Sequence, residues 1–113
     1  MSSEQTLAAG RSEPCPPWCI REHHDDDHPD DRYHDSAATR VPVIFAERDH
    51  QAGPGRWAHV RGEISIITSR YVGSADVVVF IGREEQPDRQ LNLTVEGAAR
   101  LAEGIQRHLD ATR

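Results

Sequence analysis

Both cysteines of the chain and four of its seven histidines stand within residues 15–34. The run is Cys15-Pro-Pro-Trp-Cys19-Ile-Arg-Glu-His23-His24-Asp-Asp-Asp-His28, with His34 six residues further on. Thiolates and imidazoles are the donors that suit Zn2+, held tetrahedrally at about 2.0–2.3 Å. Cys15 and Cys19 enclose three residues, a spacing one ligating knuckle can span. Cys19 and His23 stand a helical turn apart, and His34 closes the shell after a loop. The expected ligands of one Zn2+ are therefore Cys15, Cys19, His23 and His34. His24 is the main rival to His23; the pair His23/His34 does not follow the usual His-x3–5-His spacing, which His24 with His28 does.

Other chemistries fit the same residues less well. A Cys15–Cys19 disulfide would close a very small loop, and a cytosolic chain keeps its thiols reduced. A thioredoxin-type centre needs Cys-x-x-Cys beside a βαβ pattern, and neither is present. The acids and histidines could instead be a solvated tract. The aspartates invite a Ca2+ reading, but counting from Asp25 puts Asp30 and Ser36 where an EF-hand loop needs Gly and Glu. A catalytic zinc needs an open position and a nearby acid or base. Glu22 adjoins His23, yet no His-Glu-x-x-His or deaminase pattern occurs. Four candidate ligands in one short segment describe a closed structural site better than a catalytic one.

The segment that holds these residues has little else to fold around. Of 113 residues, 1–12 are small, polar and without periodicity, and are expected to be disordered. Residues 13–38 combine the Cys/His set with Pro14, Pro16, Pro17 and Pro29 and few apolar side chains. Nine of the 19 acids but three of the 13 arginines precede Thr39, so the whole net charge of -6 lies there. An acidic balance repels a phosphate backbone, so nucleic acid is a disfavoured partner. Trp18, between the two cysteines, is expected to pack on the body of the domain and tie the metal loop to it.

Residues 39–113 supply that body, and together with 13–38 are expected to make one compact domain. Residues 41–48 are β-rich, with Pro42 marking an edge strand. Gly53-Pro54-Gly55 is a turn. Over 56–70, Ala58, Val60, Ile64 and Ile66 alternate with His59, Arg61, Glu63 and Ser65, and Gly62 signals a bulge or turn dividing the run. After a hairpin loop at Val72-Gly73-Ser74, residues 75–81 are apolar on both faces, as a central strand would be. Leu91 and Leu93 alternate again. Thr94 is a natural N-cap for a helix whose apolar stripe is Ala98, Leu101, Ala102, Ile105 and Leu109. The fold class is α+β: a small antiparallel sheet of three to four strands, one C-terminal helix packed on it, and an N-terminal zinc-binding segment.

Cys15, Pro16, Trp18, Cys19 and His23 form a Cys-Pro-x-Trp-Cys-x3-His signature that resembles DUF6907, a family of small actinobacterial proteins of unknown function. The resemblance spans roughly residues 13–110. It implies a further His at the position of His34, then strands and a Thr-capped C-terminal helix. Members commonly carry Pro after the Thr, where Val95 stands here, and the lysine-free, arginine-rich composition fits a high-GC genome. The family supplies no reaction or substrate.

The resulting expectation is a small cytoplasmic zinc-binding protein acting as a non-enzymatic binding or regulatory module, its zinc structural. A small metalloenzyme and a nucleic-acid-binding regulator using the arginines of 56–70 are the alternatives. No membrane span or secretory signal is visible. The expected partner is protein, including a second copy of the chain. Val78 and Phe80 face away from Val77, Val79 and Ile81, and one helix covers only one face. The zinc segment, Trp57 or a homodimer must cover the other.

Overall fold

The computed structural model describes residues 14–21 and 32–113. Five strands, β1 (Tyr33–Asp35), β2 (Thr39–Arg48), β3 (Trp57–Tyr71), β4 (Val77–Gly82) and β5 (Leu91–Leu93), are followed by one helix, α1 (Val95–Thr112). The sheet is antiparallel throughout. No described helix is long and apolar enough to cross a membrane.

β3 is the spine. Its alternating residues half-bury Ala58, Val60, Gly62 and Ile64 and expose His59, Arg61 and Glu63. Ser65 and Ile66 pair with both β2 and β4, and Ser69 and Arg70 with both β1 and β4. β1 and β2 therefore lie end to end along one edge of β3, with β4 on the other and β5 beyond it. The register slips by one between Asp35↔Ser69 and Thr39↔Ile66, so 36–38 oppose only 67–68. At this bulge Ser36 N–H donates to the Thr68 carbonyl at 2.9 Å and its hydroxyl accepts from Thr68 N–H at 2.9 Å. The sheet thus has five strands where three to four were expected. The additional one, β1, has no apolar pattern of its own and becomes a strand by pairing with the far end of β3.

Gly62 does not divide the long strand, because the pairs Pro42↔Glu63, Val43↔Gly62 and Ile44↔Arg61 run through it without a break. The glycine makes room instead: a Cβ there would lie 2.5 Å from Cε2 of Phe45. The Phe45 ring has little freedom to retreat, since the Arg83 guanidinium stacks 4.0 Å from its centroid. Gly62→Ala is expected to destabilise the chain by about 1–3 kcal/mol through overpacking, read as a lower urea midpoint at unchanged slope.

Arg83 also pairs with Glu47 at 3.2 Å and Glu85 at 2.7 Å, and Arg40 with Glu84 at 2.8 Å. These contacts clip the turn after β4 to the β2–β3 ribbon. The Arg40 hydrogen bond holds the Glu84 carboxyl below the usual carboxylate range, though such exposed pairs contribute little stability.

Directly opposed residues share a face of the sheet. Val77, Val79, Ile81 and His34 lie on one face, and Ile67, Val78, Phe80, Tyr33 and Tyr71 on the other. α1 packs on β4 and β5. No helix residue lines the groove on the Phe80 face, so the helix covers the Val79 face, where Val79 is 6% exposed. Thr94 caps α1 by accepting from Gly97 N–H at 2.9 Å, and Glu96 pairs with Arg100 at 3.1 Å. Gly97 sits close against that cap and Leu93, whereas a Cβ at Gly104 would meet only the Arg107 guanidinium, at 3.8 Å. Leu101 is half-buried, but Ile105 and Leu109 are 52% and 44% exposed, so the last turns of the helix overhang the sheet.

Candidate metal centre

The knuckle is built by a tight turn. Cys19 N–H donates to the Pro16 carbonyl at 3.0 Å, closing a four-residue turn over 16–19. Pro17 occupies its second position, where a ring-fixed φ is favourable. The turn brings the thiols of Cys15 and Cys19 to one side, and the two are not joined in a disulfide. Trp18, at the tip, is half-buried.

The knuckle is fastened to the sheet just after the second cysteine. Ile20 N–H donates to the Asp35 carbonyl at 2.8 Å, along the outer edge of β1. Arg21 then reaches the Asp35 carboxylate at 3.2 Å while its guanidinium stacks 4.2 Å from the Tyr33 ring centroid. Tyr33 and Asp35 point to one face of β1, so His34 points to the other. There it is fully buried, opposite Arg70. The strap therefore wraps the sheet edge: its cysteines meet His34 on one face, and its Arg21 meets Tyr33 and Asp35 on the other.

One ligand atom from each of Cys15, Cys19 and His34 lies within 4.8 Å of the other two. Two donors on a tetrahedral zinc stand about 3.3–3.8 Å apart, given its bond lengths, so a small closure would seat one ion among all three. Two soft thiolates and an imidazole also form the donor set that Zn2+ prefers over hard cations. Cys15, Cys19 and His34 of the expected set are thus brought together. His23, and its rivals His24 and His28, lie outside the described residues; the described chain leaves the knuckle at Arg21, two residues before His23.

Two features of the site escaped the sequence reading. By sequence Asp35 is one more member of the acidic run, yet it anchors the strap through both its carbonyl and its carboxylate. His34 was read as a ligand closing a loop, yet it sits in mid-strand. The alternation Tyr33–His34–Asp35 was the available signal, too short to stand out. Of the arginines of β3, Arg61 and Arg70 fall on opposite faces of the sheet.

No curated protein and no solved structure matches the sequence. A family model described as a domain of unknown function, DUF6907, matches residues 1–113. The chain belongs to the DUF6907 family.

Proposed function

We propose that this chain is a zinc-binding module without catalytic activity, in which one Zn2+ holds the N-terminal strap against the sheet and so shapes a surface for protein partners. The observation behind this reading is the convergence of Cys15, Cys19 and His34, with the histidine fully buried. A buried ligand on a strand, facing two thiols on a proline-rich turn, is the arrangement of a site that joins two chain segments. Burial of His34 also leaves little room around it for a substrate. His23 is the fourth ligand in this reading, which closes the shell. Zinc then supplies the folding energy that the segment's sparse apolar side chains do not. In this reading the protein works in a reducing compartment, the cytoplasm, where thiols stay available as ligands.

A catalytic zinc is the second reading, favoured by the fact that three described residues converge, the ligand count of many catalytic sites. Cobalt substitution separates the two. A closed site with two thiolates and two imidazoles gives intense tetrahedral visible absorption that added azide or thiocyanate leaves unchanged, and His23→Ala should render it anion-sensitive. A spectrum that shifts with anions in the unmodified protein, and ignores His23→Ala, would support an open, catalytic position instead.

A further inference from the structure

The face of the sheet opposite the helix holds a groove of about 760 Å3. Ile67, Val78 and Phe80 form its floor, and Tyr71 and Ile20 also line it. The volume suits a sizeable apolar insert. Within the described residues, the two coverings available in the same chain fall short. The strap reaches only the rim, where Ile20 remains 68% exposed, and Trp57 lies at the far end of the β2–β3 ribbon.

The same chain has an apolar surface of the opposite shape. Leu101, Ile105 and Leu109 recur every fourth residue on α1, and cover is lost after Leu101. A projecting helical ridge and an apolar trough on one molecule are each other's natural complement. The ionisable group on that ridge is the imidazole of His108, between Ile105 and Leu109. The groove is rimmed by the carboxylates of Asp35 and Asp76, of which Asp35 already holds Arg21. Asp76 is thus the groove's complement to a histidine arriving on the ridge.

We infer that the chain forms a twofold dimer in which the overhanging end of α1 from each copy lies in the Ile67–Val78–Phe80 groove of the other. Helix and groove lie on opposite faces of one sheet, so a copy cannot fill its own groove without unpacking its helix. Twofold symmetry makes the contact occur twice, and doubling matters. One helix end in one groove is small, whereas stable dimers bury about 800 Å2 per partner. None of the described ligands Cys15, Cys19 and His34 lines the groove, whose floor belongs to β3 and β4, so the inference shares with the zinc reading only the strap's Ile20.

Light scattering on the full, metal-loaded chain across a wide concentration range should give twice the 12.7 kDa chain mass. Leu109→Asp on the ridge and Tyr71→Asp on the groove wall should each raise the dimer dissociation constant by at least about 100-fold, since both copies lose a contact. Asp76→Arg, on the exposed rim, is the companion groove variant should Tyr71→Asp perturb the strand. An equimolar mixture of the ridge and groove variants should associate more strongly than either alone and more weakly than the wild type, because one undamaged helix–groove contact remains where each variant alone has none. A monomer at all concentrations would overturn the inference. Loss of the dimer in Leu109→Asp but in neither groove variant would replace it with helix-to-helix pairing.

Discussion

Replacing Cys19 with Ser is expected to lower bound zinc from about one ion per chain to less than about a tenth, and to release the strap without unfolding the sheet. A serine hydroxyl is a poor ligand for an ion that the thiolate holds as an anion. Structural zinc sites provide about 10–16 kcal/mol of apparent binding energy in small peptides, and that energy is folding energy for the segment bound. The described links of the strap to β1 include one backbone hydrogen bond, from Ile20 to Asp35, the part-buried Arg21–Asp35 pair and the stacking of Arg21 on Tyr33. The pairing of β2 to β5 and the packing of α1 use neither cysteine. Hydrogen exchange should therefore accelerate at the Cys19 and Ile20 amides and stay slow in β3 and β4, with the far-ultraviolet spectrum nearly unchanged. Fast exchange throughout the sheet would mean that the strap is integral to the fold rather than clamped onto it.

His34→Ala is expected to do more, because His34 serves both the centre and the sheet. It is fully buried in the middle of β1, so its removal leaves a cavity on that face of the sheet besides emptying a ligand position. Truncations at such sites cost about 2–5 kcal/mol beyond any metal effect. Denaturation with a strong chelator present separates the two contributions. Wild type and Cys19→Ser should then unfold at the same urea concentration, while His34→Ala unfolds earlier. Coincidence of all three curves would show that His34 acts only through the metal.

The parts of the fold legible in the sequence are those whose cause is local. The alternation in β3, the two-faced apolar run in β4 and the Thr94 cap each lie within a few residues of the structure they specify. Whatever depends on a distant partner was hidden. The alternation of Tyr33-His34-Asp35 is too short to signal a strand, and it is one because Arg70 and its neighbours offer an edge. Gly62 looked like punctuation because glycine's backbone freedom is a local property, while the ring that requires it comes from Phe45 on another strand. The same division holds at the site. The cysteine spacing foretells the knuckle, and its convergence with His34 is what the structure bears out. The burial of His34, and the Arg21–Asp35–Tyr33 clasp on the reverse face, follow from the pairing of β1 and could not be read from spacing alone.

The most direct test of the account is elemental analysis, with thiol titration, of protein purified without added metal or chelator. The account predicts one zinc per chain, neither cysteine titratable until the metal is removed, and two reactive thiols per chain afterwards. Protein without stoichiometric zinc, with Cys15 and Cys19 joined in an intact disulfide, would contradict it.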